Sequence, residues 1–343
     1  MNIDKEKILE ALQQVQDPEL GRDIVALGMV REVNIDGGNV FVALEIGSDS
    51  PAAREAVKQK VKAAVAKVDG VKDVTVQLVT PARRNPAFAP KAGLPGVAHI
   101  IAVASGKGGV GKSTVAVNLA LALAKQGHKV GLMDADIYGP NVPLMLGIKP
   151  ETRPHVSAEE KIIPLEAYGI RMISMGVLVP ADQPMVWRGP MLHSAVTQFV
   201  QKVEWGELDY LLVDLPPGTG DVQLSLVQIA PLSGAVIVTT PQEVALMDVR
   251  KGIAMFQKTQ VPILGIIENM TGDVFGKGGG EKAAADYQVP FLGFIPLDSQ
   301  IREGGDAGRP IIVTAPDSVP ARAFIKAATV MTENLAHAAA AKA

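Results

Sequence analysis

The stretch IIAVASGKGGVGKST (100–114) governs how the rest of the chain is read. Its first six residues are an apolar run of strand length, and residues 112–126 carry a helical pattern. Between them Gly106, Lys107, Gly108, Gly109, Val110, Gly111, Lys112, Ser113 and Thr114 match G-x-x-x-x-G-K-[ST] in the strand–loop–helix setting that this pattern requires. Glycines let backbone N–H groups turn inward around phosphate oxygens, and the helix N-terminus adds partial positive charge. The chemistry expected of the loop is nucleotide phosphate binding, with Lys112 reaching the β- and γ-phosphates and Ser113 ligating Mg²⁺.

Further along the chain, near-continuous apolar runs alternate with helical patterns: KVGLMD (129–134), YLLVDL (210–215), GAVIVTT (234–240) and ILGIIEN (263–269), with a helix at 244–259. Strands buried on both faces of a parallel sheet read this way, so the expected fold is α/β, a doubly wound, mostly parallel P-loop NTPase domain over 98–335. The run 211–213 ends in Asp214, a carboxylate placed to hold Mg²⁺ through water. Residues 216–221, PPGTGD, follow as a stiff loop with a glycine hinge; Asp221 reads either as a helix cap or as a direct participant. Asp136, two residues beyond the end of another strand, either orients a water for in-line attack or forms an Asx turn before Gly139-Pro140. Asn269 ends a further strand and is suited to reading a base edge, or to a turn.

Residues 1–80 read as a small α/β domain. Strands at 30–35 and 40–46 flank Gly37-Gly38, a helix opens at Ser50-Pro51, and a third strand covers 71–79. Residues 81–97 hold four prolines, two glycines and a charge of +3, the composition of a linker. The Ala-rich end, 336–343, reads as a frayed helix tail.

Composition narrows the function classes. The 343 residues carry a net charge of -3, with no strongly basic segment beyond the linker, so nucleic acid is not an expected partner. No apolar run approaches the ~18 residues of a membrane span, and the charged N-terminus lacks a signal-peptide core. A cytoplasmic protein without a membrane partner is expected. Cysteine is absent, which removes disulfides, thiolate nucleophiles and cysteine-held metals. The five histidines are scattered. Met172, Met175, Met185 and Met191 are irregularly spaced and read as packing residues. Gly278-Gly279-Gly280 is either an anion nest or a flexible turn before a helix at 281–287.

The words SGKGGVGKST (105–114), DADIYGPN (134–141), VDLPPGTGD (213–221), TPQEVAL (240–246), IENM (267–270) and FGKGGGE (275–281) together resemble the Mrp/ApbC family of deviant Walker A ATPases. DPELGRDIVALGMV (17–30) is similar to the small PaaD/SufT-like domain often fused in front. The resemblance implies ATP hydrolysis, slow in rate. It gives Lys107 a role in the partner subunit's site, and hence implies a homodimer. It assigns Asp136 to the attacking water and Asn269 to adenine, with 296–298 as the other wall of the base pocket. It also implies iron–sulfur cluster assembly or transfer, a bridging [4Fe-4S] cluster and client proteins. Members place CxxC between the IENM and FGKGGGE words; here those positions hold only Thr271-Gly272-Asp273-Val274. Three readings follow: an ATPase of iron–sulfur assembly, using unusual ligands or serving a cysteine-bearing partner; a MinD/ParA-like positioning ATPase; or a nucleotide-gated adaptor that does not hydrolyse.

Overall fold

The long apolar runs are apolar throughout because each faces two cores. In a computed structural model of the chain, β4 (Val97–Ser105) sends Ile101 and Val103 into one buried cluster and Ile100, Ala102 and Ala104 into another. Leu212 and Leu211 divide in the same way on β8 (Leu208–Asp214), as do Leu132 and Met133 on β5 (Val130–Asp134). Successive strand residues point to opposite faces, so in a sheet covered on both sides apolar residues fill both of them. The structure describes residues 5–16, 23–25, 29–45, 51–79, 94–136, 139–178, 202–218 and 220–340. Its contacts divide into two units, Met1–Ala89 and Pro90–Ala343.

In the smaller unit, β1 (Val30–Asp36) and β2 (Asn39–Glu45) pair antiparallel across Gly37-Gly38. Both glycines have positive φ, at 54° and 104°, the left-handed pair that a two-residue hairpin uses. Helix α2 (Pro51–Val65) crosses over to β3 (Asp73–Val79), which pairs parallel with β2. Val57, Val61 and Val65 of α2 meet Val40, Val42 and Leu44 of β2, with Ile8 and Leu12 of α1 (Lys5–Gln13) in the same core. The Ser50 cap and the linker prolines Pro81, Pro86 and Pro90 lie outside the described residues.

The larger unit is an eight-stranded sheet. Completed by β6 (Leu165–Ala167), β7 (Ile170–Ser174), β9 (Gly234–Thr239), β10 (Ile263–Thr271) and β11 (Phe291–Pro296), its order is β11-β10-β9-β4-β8-β5-β7-β6. Every pairing is parallel except that of β6 with β7. One face packs on α3 (Lys112–Lys125) and on the C-terminal helix, Val319–Ala340. The other packs on α6 (Asp221–Ile229), α7 (Glu243–Lys258) and α8 (Gly279–Asp286), numbered after the one-turn helices α4 (Val142–Met145) and α5 (Met175–Leu178). Phe324 and Phe256 are fully buried, one on each face; truncating either to Ala costs about 3–5 kcal/mol.

Three local expectations can be set beside the structure. The Ala-rich end lies on helix Val319–Ala340, in which Leu335 is buried and Asn334 Nδ2 donates to Leu264 O at 2.9 Å, and residues 341–343 lie outside the described residues. Helix α6 begins at Asp221 itself, with Gly220 as its N-cap. Met172 and Met175 are buried packing residues, as expected, while Met185 and Met191 lie outside the described residues.

Candidate functional site

The strand order turns around β4, whose neighbours β8 and β9 follow it much later in sequence, and the glycine-rich loop leaves the carboxyl end of this strand. Open α/β sheets bind ligands at such a place. Gly111 sits at φ 78°, a left-handed conformation costly for other residues, and a Cβ there would lie 2.3 Å from Asn269 Nδ2. It is the N-cap of α3, and no side chain caps that helix. The first-turn amides are therefore left for an anion. Lys107, Gly108, Gly109, Gly111, Lys112, Ser113, Thr114 and Asp136 line a cavity of about 200 Å³ here. Val110 is buried and anchors the loop.

The charged centre lies beneath the loop. Lys112 is only 6% exposed, and its Nζ lies 2.6 Å from Asp214 Oδ1 and 3.9 Å from Asp136 Oδ2. The same ammonium is 3.4 Å from Ser113 Oγ. Asp134, at the end of β5, pairs in register with Asp214 and is fully buried. One lysine thus faces three carboxyl groups. Burial, and then the neighbouring Asp214, push Asp134 up to about 7. Burial likewise pushes Asp214 up, opposed by Lys112. Asp214 Oδ2 is buried and has no partner among the described residues. A carboxyl oxygen and a hydroxyl beside a phosphate-binding loop are the hard oxygen donors that Mg²⁺ takes, so the residues fit that ion.

Asn269 is a strand residue rather than a turn residue. It is 5% exposed near the end of β10, and its Nδ2 donates to Val110 O at 2.9 Å. It borders a second cavity of about 380 Å³ with Met270, Pro296, Leu297 and Asp298. Thr114, Asn141 and Met145 line both cavities, which makes one groove of a polar and a more apolar half. Dimensions and lining suit a phosphate chain and a heterocyclic base.

The triple glycine is an anion nest whose anion belongs to the chain. Glu268 is fully buried, and its carboxyl oxygens accept from Gly278 N–H at 2.8 Å and from Gly280 N–H. Helix α8 begins at Gly279, two residues earlier than its sequence pattern suggests, because the nest forms its first turn. Between Asn269 and the nest, Gly272 and Gly276 exchange N–H···O=C bonds at 3.0 and 2.7 Å, closing a tight turn that carries Val274 outward, 73% exposed. Sequence reading missed Glu268 and the contacts of Asp134; the signal available was an acid directly before Asn269, ten residues from the triple glycine.

The remaining sequence candidates separate from this centre. His99 and His128 lie at the opposite, amino-terminal edge of the sheet, against the Tyr210 ring. Among the described residues no three of His, Cys, Asp and Glu gather as a metal site, and no helix is long and apolar enough to cross a membrane. The side chain of Asp221 and residues 137–138 and 219 lie outside the described residues.

Both units of the chain are similar to known proteins. The family model of the NUBPL iron-transfer P-loop NTPases matches residues 96–332, and that of the iron–sulfur cluster assembly proteins matches 5–78. The iron–sulfur cluster carrier protein of Deinococcus radiodurans is 49% identical over 327 residues, covering 92% of this chain and 91% of its own length. The carrier protein of Escherichia coli is 43% identical over 90% of this chain and 86% of its own. Among solved structures, an Archaeoglobus fulgidus nucleotide-binding protein in complex with ADP aligns at TM-score 0.55 and 41% identity, over 62% of this chain and 87% of its own. The cell division ATPase MinD of Pyrococcus furiosus aligns at TM-score 0.55 and 29% identity, over 68% of this chain and 98% of its own.

Proposed function

The chain belongs to the NUBPL iron-transfer P-loop NTPase family, and from that premise we propose that it is a slow ATPase acting in iron–sulfur cluster assembly or transfer. The observation that carries the reading is the Lys112 ammonium, buried 2.6 Å from Asp214 and facing the glycine-rich loop. A phosphate chain on Gly106, Lys107, Gly108, Gly109, Val110, Gly111, Lys112, Ser113 and Thr114 draws this ammonium toward the β- and γ-phosphates. That movement releases Asp214, which with the Ser113 hydroxyl would hold Mg²⁺; when bound there, the ion would neutralise charge developing on the phosphate oxygens. Asp136 orients the water that attacks in line. Asn269 reads the adenine edge. Lys107 completes the site of a second copy in a homodimer.

We read 1–80 as a domain that docks a client, 81–97 as its linker, 98–335 as the ATPase and 336–343 as a tail. The assignment is to the cytoplasm.

A cluster is cargo here, and its ligands are not in this chain. Clusters are held by cysteine thiolates, with histidine replacing some of them in one type, and the chain has no cysteine. The closed turn at 272–276 offers carbonyls, amides and one aspartate, hard donors unsuited to the site. A cysteine-bearing partner holds the cluster while this chain supplies the nucleotide-driven change of shape. A membrane-positioning role is disfavoured: the apolar face of the C-terminal helix, Phe324, Met331 and Leu335, is already packed against the sheet.

The test follows ATP turnover and cluster movement from a cysteine-bearing scaffold to an apo-acceptor, in wild type and in Lys112→Ala and Asp136→Ala. The reading expects ATP-dependent transfer in wild type, loss of nucleotide binding in the first variant, and binding without turnover in the second. Transfer at one rate with and without ATP would remove the proposed role. Wild-type binding with no turnover would leave the non-hydrolysing adaptor.

A further inference from the structure

Asp134 is, like Asp214, a fully buried acid of the site, and it has no part in the scheme above. Its surroundings are nevertheless built for it. Oδ1 accepts from Asp136 N–H at 3.1 Å. Oδ2 accepts from Ser174 Oγ–H at 2.8 Å and lies 3.4 Å from Val142 N–H. Ser174 ends β7, which pairs in register with β5, and its Oγ in turn accepts from Gly176 N–H at 3.0 Å. The loop that carries Asp136 is therefore fastened at both ends, residues 136 and 142, to one carboxyl group, and through Ser174 to the neighbouring strand. Asp136 continues the chain, its Oδ1 accepting from Gly139 N–H at 3.1 Å. Placing a third acid beside Asp214 and Asp136, with Lys112 as the cation opposing them among the described residues, costs stability. An apolar residue would pack this strand end at no such cost. What an apolar residue lacks is an acceptor for three donors from two segments.

We propose that Asp134 is a positioning residue for hydrolysis: with Ser174 behind it, it fixes the backbone at Asp136 so that the Asp136 carboxyl meets the attacking water. A group held within a few tenths of an ångström loses rate steeply when its support is loosened, while substrate binding made by other groups persists. This inference rests on the reading of Asp136 as the residue that orients water.

The experiment measures steady-state ATP hydrolysis by the full chain with Mg²⁺, together with binding of a fluorescent ADP, in Asp134→Asn, Ser174→Ala, Ser174→Thr and Asp136→Ala. Asp134→Asn places an amide N–H₂ where an acceptor is required; kcat is expected to fall about tenfold with KM within about threefold of wild type. Ser174→Ala removes one of the donors, with an expected loss of about threefold in kcat, and Ser174→Thr keeps the hydroxyl and restores the rate. If Asp134→Asn does not fold, the serine pair decides: a loss in the alanine variant rescued by threonine supports the proposal, and wild-type kcat in Ser174→Ala overturns it. Wild-type kcat in folded Asp134→Asn overturns it as well. Asp136→Ala separates the two failures. Undiminished turnover there removes the underlying reading and this one with it; loss of turnover there beside an unaffected Asp134→Asn removes the positioning role alone.

Discussion

The same strands end in opposite ways at the two edges of the large sheet. At the amino-terminal edge, Asp209 and His128 approach to 3.8 Å with side chains 51% and 37% exposed, and His99 and His128 rest on Tyr210. At the carboxyl edge, Lys112 and Asp214 pair at 2.6 Å with side chains 6% and 1% exposed, beside Asp134 and Asp136. Water screens the first set, so its pairs add little to stability. The second set is withdrawn from water, where a surplus of acid over base is unfavourable until a cation arrives. The contrast teaches that residue type did not make the site; desolvation did.

The largest effect expected from breaking this contrast is at Lys112. Lys112→Ala removes the cation paired with Asp214 at the buried edge, and affinity for ADP with Mg²⁺ should fall at least about a hundredfold, read by calorimetry. Retained affinity would mean that the amides of the loop suffice. A smaller effect comes from protons. The folded state holds Asp134 at about 7, above its ordinary 3.8, so it binds more protons than the unfolded chain between those values. Stability from this group is fully present below about pH 4 and is lost as pH rises through about 7. Asp214, also pushed up by burial, acts in the same direction. The melting temperature of the nucleotide-free protein should therefore decline across this window, and Asp134→Asn should flatten the decline; equal slopes would show that the acid does not bear the strain. Next, Asn269→Ala deletes the 2.9 Å bond to Val110 O and should cost about 1 kcal/mol in chemical denaturation, with a several-fold loss of ADP affinity. The smallest effect is at the wet edge: Asp209→Ala should change stability by no more than ~0.5 kcal/mol and leave ATP turnover as it was.

Much of this was legible before any coordinates, for physical reasons that differ by element. The loop 106–111 had to lie between a strand and a helix because its chemistry works only there, and the apolar runs had to be central because both of their faces are covered. Lys112 and Ser113 were readable from local spacing. The pairing of Lys112 with Asp214 joins residues 102 positions apart, and the bond of Ser174 to Asp134 spans 40, distances that only strand order sets. Glu268 was hidden for another reason: the triple glycine announced an anion nest, but nothing in its spacing said that the anion was internal.

In the proposed division of labour this chain supplies the nucleotide site and another protein supplies the cluster's thiolates. Anaerobic reconstitution of the purified chain with iron and sulfide, in the absence of any added thiol, tests this most directly by counting bound iron per chain and recording the visible spectrum. The account predicts no stoichiometric iron on the chain alone, with or without ATP. A stable cluster at about one per two chains, formed with no thiol present, would contradict it.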